Sequence, residues 1–290
     1  MANSIQLAKV YTNLLDEVYK QSALTAVLES DASLARQGAN ANEIIIPKLS
    51  MDGLADYSRN SGYVNGDVTL NWETVQFNYE RGRMFQVDDM DNEETQNIAF
   101  GRLAGEFIRT KVVPELDAFR FSKYASATGV GLATGTLATG VDVINALRTA
   151  TSSMDEAEVP MEDRHLFITP TLLGLVEDLD TTKSKEVLSR FATITKVPQT
   201  RFYSAIELLD GKSLGEEKGG YKKADGGVEL NFEIIHKPAT LQFTKHAVPK
   251  IISPEMNQDA DAWKYGYRNY GLCDVYENKT AGIYVHKKGA

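Results

Sequence analysis

Apolar residues near the start of the chain recur at steps of three and four. Leu7, Val10, Leu14 and Val18 are continued by Leu24, Val27 and Leu28, a period that predicts an amphipathic helix over 5–30. Gly38-Ala39-Asn40-Ala41-Asn42 ends that segment, and Glu43 to Leu49 is a β-prone run. From Ser50 to Gly66 there is no period, only loop composition: Gly53, Gly62, Gly66, Asn60, Asn65 and Asp52. Alternation returns in Val68, Leu70 and Trp72, then in Val75, Phe77 and Tyr79, and Met84, Phe85 and Val87 close the block. Residues 43–87 therefore predict a long two-armed β-excursion with an irregular middle.

A second long helix is expected from about Thr95 to Ala125, with Ile98, Leu103, Phe107, Ile108, Val112, Leu116 and Phe119 on one broad face. Pro114 lies inside it and should bend or restart it. Ahead of it stands the acidic run Asp88 to Glu94; Asp91 is expected to cap the helix, with Glu94 closing a capping box. The run fails the calcium-loop pattern, which needs glycine at its sixth position. Residues 126–140 repeat Ala-Thr-Gly and read as a flexible linker. Gly129, Gly131 and Gly135 follow a helix rather than a strand, the wrong context for a dinucleotide fingerprint.

Beyond it the pattern turns α/β. A helix is expected from Val141 to Met154, a strand from His165 to Thr169, and helices over Leu172–Leu179 and Lys185–Phe191. Strands follow at 200–206, 228–236, 241–244 and 250–253, with a glycine- and lysine-rich loop at 210–227. An aromatic-rich tail holds Trp263, Tyr265, Tyr267, Tyr270, Tyr276 and Tyr284, and 281–286 forms a last β-run.

Composition narrows the function classes. The chain has 290 residues and a formal net charge of −9, against a nucleic-acid groove or an anionic lipid surface, each of which needs basic groups. A single cysteine, Cys273, excludes an internal disulfide and reads as a small packed side chain. No export signal or membrane-length apolar run is visible, so a soluble protein of a reducing compartment is expected. His165, His236, His246 and His286 are isolated, and no nucleophile elbow occurs. No catalytic, metal-binding or cofactor-binding residue is assigned, and an enzyme has no support beyond the chance that dispersed acids converge. The excursion is different. It carries Tyr57, Arg59, Tyr63, Trp72, Arg81 and Arg83, residue types that dominate protein–protein contacts, on a segment too thin to bury a core. These six are the candidate inter-subunit contacts.

The order of parts resembles the major capsid protein of tailed bacteriophages, the Hong Kong phage-type α+β capsid fold shared with encapsulin shells. The likeness is carried by Leu54-Ala55-Asp56-Tyr57-Ser58-Arg59, Asn60-Ser61-Gly62-Tyr63, Arg81-Gly82-Arg83-Met84-Phe85-Gln86-Val87-Asp88 and Asp91-Asn92-Glu93-Glu94-Thr95. Phe167-Ile168-Thr169-Pro170 and the run Tyr276 to Tyr284 extend it over the whole chain. The resemblance implies an N-terminal arm at 1–42, an extended loop at 43–87, a peripheral domain with a spine helix at 88–130, an axial domain at 131–240, and peripheral return strands at 241–290. It also implies a structural protein of the virion, assembled in the bacterial cytoplasm. Its copies form hexamers and pentamers of an icosahedral shell that encloses double-stranded DNA and meets a portal.

Some relatives weld the shell with a lysine–asparagine bond whose lysine lies on the extended loop. Here no lysine stands between Lys48 and Lys111, so no such crosslink is expected. The chain reaches its arm directly after Met1, which makes a separate scaffolding protein the expectation. An encapsulin-type shell around a protein cargo is the alternative within the fold, and an acidic enzyme the alternative outside it.

Overall fold

The computed structural model describes residues 23–30, 36–37, 43–94, 98–179 and 182–289. Most of the helix expected over 5–30, and most of the arm at 1–42, lies outside them. Leu24–Leu28 is a 3-10 turn rather than the end of an α-helix. Thr25 and Leu28 are buried there, and the Ser30 N–H donates to the Gln242 carbonyl. Tertiary bonds set this segment's conformation, not its helical period.

Strands β1 (Arg36–Gln37), β2 (Glu43–Met51) and β3 (Val68–Gln76) form one antiparallel sheet, essentially a long hairpin. The expected excursion stops at Gln76. Strand β4 (Tyr79–Asp88) belongs to the body, at one edge of a sheet with β11 (Thr240–Ile252) and β12 (Ala262–Val275). Alternation cannot say which sheet a strand joins; buried Tyr79 and Val87 fix β4 on the body. At the junction, the Asn78 side chain donates to the Cys273 carbonyl and accepts from the Cys273 N–H, just past the last β4–β12 pair, Tyr79 with Gly271.

Helix α1 (Asp89–Glu94) starts two residues ahead of the expected cap, and Asp88, not Asp91, accepts the Met90 N–H. Helix α2 (Ile98–Phe107) passes through a π-helical turn at Ile108–Val112 into α3 (Val113–Ser126). Pro114 cannot donate to a carbonyl one turn back, and the wider turn just upstream absorbs the break. α2 and α3 cover the inner face of the β4–β12–β11 sheet. Phe107 meets Phe85, Tyr265 and Tyr267, and Phe119 meets Tyr79. The two short strands expected at 241–244 and 250–253 are one, β11, bulged between Thr244 and His246.

The linker reading of 126–140 is overturned. Gly131–Gly135 is strand β5, parallel to β13 (Ile283–Lys288) in a five-stranded sheet ordered β5-β13-β10-β6-β7. A side chain at position 131 would sit 2.5 Å from the Tyr284 ring, so the glycine permits this close pairing. Helix α4 (Gly140–Glu156) then opens with a capping box between Thr139 and Asp142. The other partners are β6 (Arg164–Ile168), β7 (Thr193–Lys196) and β10 (Leu230–His236). Helices α4, α5 (Pro170–Glu177) and α6 (Thr182–Leu188) supply Val143, Leu147, Leu173, Val176 and Val187 to the core on one face. Strand β13, expected among the return strands of 241–290, lies inside this sheet. The strand expected at 200–206 is a turn with an isolated bridge at Tyr203. The loop expected at 210–227 contains half of a hairpin, β8 (Ile206–Leu209) with β9 (Gly220–Lys223).

Glu233 stands mid-strand on β10 between Phe167 and Val285, fully buried. Neither carboxylate oxygen has a hydrogen-bond partner among the described residues. Burial pushes its carboxyl well above the ordinary range, so the folded chain keeps a proton that the unfolded chain loses above about pH 4.3. Folding stability contributed by this proton is complete below that pH and falls as pH rises. Glu233→Gln should therefore stabilise the chain relative to the parent more at pH 8 than at pH 5, the difference growing by up to ~1.4 kcal/mol per pH unit. Urea denaturation at the two pH values checks this; an equal effect at both would contradict it.

Candidate assembly surface

The hairpin is built to reach rather than to pack. Its root is anchored where Ile44 and Ile46 meet Leu241, Phe243 and Leu272, with Val75 and Phe77 alongside. Met51, Leu54, Tyr57, Tyr63, Val64, Val68, Leu70 and Trp72 are all exposed, Tyr63 at 88% and Trp72 at 48%. Isolated exposed apolar residues are ordinary, but a run of this kind on one arm makes it the candidate contact surface. Each such side chain gains about 1.5–3 kcal/mol when a partner covers it fully.

The connecting loop, irregular in sequence, is held by specific bonds. The Asp52 N–H donates to the Asp67 carbonyl, and the Asp67 N–H returns a bond to the Asp52 carboxylate at 2.9 Å. Ser58 and Gly62 exchange backbone bonds while the Ser58 hydroxyl accepts from the Asn60 and Ser61 N–H groups. Gly62 has φ +80°, the left-handed conformation that closes this turn and that glycine tolerates best. The turn brings Tyr57 and Tyr63 edge to face at 4.8 Å, with Arg59 exposed between them. Two aromatic rings fixed against each other lose little further entropy on binding.

The six expected contact residues thus divide. Tyr57, Arg59, Tyr63 and Trp72 lie on the exposed hairpin, whereas Arg81 and Arg83 lie on β4 and face inward. Arg81 Nε is 2.7 Å from Glu115 Oε1, and its guanidinium also donates to the carbonyls of Leu209 and Gly220. The Tyr79 hydroxyl shares Glu115. Arg83 donates to the Glu217 carbonyl and passes Gly211 and Gly219, whose φ angles are +73° and +63°. Both arginines are struts that tie β4 to the β8–β9 hairpin. Sequence reasoning grouped all six by residue type; only the sheet assignment of β4 separates them.

It also missed a second bare surface, the outer face of the β4–β12–β11 sheet, where Met84 and Val248 are exposed. The segment Lys245-His246-Ala247-Val248-Pro249-Lys250 carries loop-like composition, so no signal set it apart. Chemistry is sparse. Among the described residues no three of His, Cys, Asp and Glu gather as metal ligands, and no helix is long and apolar enough to cross a membrane. Cys273 is buried against α3, and burial pushes its thiol up to about 12. A cavity of about 10 Å³ between Tyr79, Phe119, Arg120 and Cys273 has room for about one water.

Two substitutions separate strut from contact surface. Arg81→Met should lower the stability of the isolated subunit by about 1.5–3 kcal/mol, since it strands a charged partner and two carbonyls. Tyr63→Ala should stay within about 0.5 kcal/mol of the parent yet reduce assembly, as should Trp72→Ala. Denaturation curves and particle yield, read side by side, check both.

No family model and no curated protein sequence matches the chain. Solved structures do. The asymmetric unit of the bacteriophage PhiM1 mature capsid superposes with a TM-score of 0.65 at 10% identity, over 97% of this chain and 91% of that one. A structure from Mycobacterium phage Che8 matches with a TM-score of 0.58 at 15% identity, over 98% of both chains. A virus-like particle from Pyrococcus furiosus matches at 0.54 and 11%, over 91% and 97%. The chain therefore has the Hong Kong phage-type capsid fold, in the α+β arrangement expected from its sequence.

Proposed function

We propose that the chain is a structural subunit of a bacteriophage head. Its copies form hexamers and pentamers that close an icosahedral shell around double-stranded DNA. The observation that carries this reading is a capsid fold bearing an ordered hairpin that exposes a run of large apolar side chains, Leu54, Tyr63, Val64 and Leu70 among them. In this reading 43–76 is the extended loop that crosses a neighbouring subunit. The β4–β12–β11 sheet with α2 and α3 is the peripheral domain, and the five-stranded sheet with α4 to α6 is the axial domain. The work is mechanical: a rigid body presents contact surfaces, and many modest contacts repeated over the shell sum to a stable particle. A net charge of −9 suits enclosure of DNA without adhesion to it, because like charges keep the lining from binding phosphates tightly.

Expression of the full chain, alone and with a scaffolding protein, followed by electron microscopy, tests the proposal. Closed isometric particles are the expected result; a monomer under every condition would sink it. Particles boiled in detergent should give one band near 32.0 kDa, because no lysine stands between Lys48 and Lys111 to weld the loop. A ladder of multimers that survives reductant would overturn the uncrosslinked shell. The likeness to the Pyrococcus furiosus virus-like particle favours a second reading, a nanocompartment with protein cargo. Packaged nucleic acid against a co-purifying protein decides between the two.

A further inference from the structure

The tip of the hairpin holds the one Asn-Gly pair of the sequence, Asn65-Gly66. An asparagine side chain lies one ring closure away from the peptide nitrogen that follows it. Attack of that nitrogen on Cγ closes a five-membered imide, a route that makes asparagine one of the thermolabile residues. A side chain on the following residue crowds the approach, and glycine has none. Asn65 and Gly66 are both exposed, on the kind of loop tip where covalent damage and cleavage concentrate.

The structure separates this pair from its neighbours. Asn60-Ser61, earlier on the same loop, has its attacking group occupied: the Ser61 N–H donates to the Ser58 hydroxyl at 3.2 Å, inside the turn that Ser58 and Gly62 close. Asn71 and Asn78 are followed by the bulky Trp72 and Tyr79. Asp52-Gly53 offers a carboxylate, a poorer electrophile than an amide, and that carboxylate accepts the Asp67 N–H. Among the described residues no bond holds the Gly66 N–H or the Asn65 side chain. The two bonds between Asp52 and Asp67 stand directly after Gly66, where the β2–β3 ladder begins with Met51 and Val68.

We infer that Asn65 is a site of spontaneous deamidation that retires the hairpin tip. The Gly66 nitrogen bonds to Asn65 Cγ, the Cγ–Nδ2 bond breaks, and the side-chain nitrogen leaves as ammonia with the Gly66 amide proton. Water then opens the imide at either carbonyl, its hydroxyl going to carbon and its proton to nitrogen, and leaves aspartate or isoaspartate at position 65. Either product adds a carboxylate to a loop that already carries Asp52, Asp56 and Asp67 against the single cation Arg59. Isoaspartate also routes the backbone through the side chain. The extra methylene shifts the Asp67 N–H away from the Asp52 carboxylate and unfastens the mouth of the loop. The effect on assembly rests on the reading of the hairpin as the contact arm of a shell subunit: a converted chain presents a misshapen, more anionic tip and is left out of particles.

The test incubates the full chain in warm, mildly alkaline buffer and follows it by tryptic peptide mass spectrometry. One peptide, from Asn60 to Arg81, carries Asn60, Asn65, Asn71 and Asn78 together, so fragment ions compare them within a single molecule. Asn65 should convert first, to a mixture of aspartate and isoaspartate, while the other three remain amides. In Gly66→Ala, whose added Cβ meets Asp52 at an ordinary 3.6 Å, conversion should slow several-fold. An Asn65 that outlasts Asn60, or that converts as fast in Gly66→Ala as in the parent, overturns the inference. Particles grown from a partly converted sample should be depleted in converted chains. Equal content in particles and starting sample overturns the effect on assembly and leaves both the modification and the shell. Conversion at Asn65 in a chain that forms no particles even when fresh supports the modification and counts against the shell.

Discussion

The carboxylate of Asp117, fully buried on α3, holds together three parts of the chain that are distant in sequence. It accepts from the N–H groups of Leu24 and Thr25 and from the Thr25 hydroxyl, and it pairs with Arg201 at 3.0 Å. A buried ion pair persists only when its remaining bonding capacity is met, and the backbone of residues 24 and 25 supplies that capacity here. The spine of the body, the N-terminal segment and the turn leading to the β8–β9 hairpin are therefore fixed together. The consequence runs outward through Gln242, which accepts from the Tyr124 hydroxyl and donates to the Thr25 carbonyl and to Glu29. Residues Thr240 to Thr244 then carry the N-terminal segment along one edge and the hairpin root on one face. Both arms share a five-residue seat whose position depends on Asp117.

From that seat the two halves of the molecule behave differently. The five-stranded sheet is filled on both faces, with Phe121, Phe167 and Phe202 stacked edge to face on one side and the α4–α6 helices on the other. The hairpin has backbone pairing and turn bonds, and its large side chains past the root are exposed. Such an arrangement would suit the contact arm proposed above: the shape is set before a partner arrives, and the energy of covering it would be released on contact. The Asn78 bonds to Cys273 mark where the chain passes from the hairpin into the β4–β12–β11 sheet.

Much of this was legible in the sequence because local patterns report local structure. The alternation of Val68, Leu70 and Trp72, the period of α4 and the Phe-Ile-Thr-Pro exit from β6 all stand where they were expected. Other features depend on pairing between distant segments, which one sequence does not display. Gly131 to Gly135 has the composition of a linker, and only its parallel pairing with β13 makes it a strand. Arg81 and Arg83 look like the arginines of a contact surface until β4 is seen to join β12. Pro114 signalled a break correctly, but its form, a π-helical turn rather than a kink, is a property of the packed helix. The exposed aromatics of the loop were found by type.

The exposed hairpin would also set a clock on the life of a free subunit, if the chain assembles as proposed. An ordered apolar arm is as attractive to a wrong partner as to the right one, and aggregation rises with concentration just as assembly does. On that reading the interval between synthesis and capture by a neighbour is when the protein is most vulnerable. A companion protein that shortened or shielded that interval would then act on yield without touching the stability of the particle.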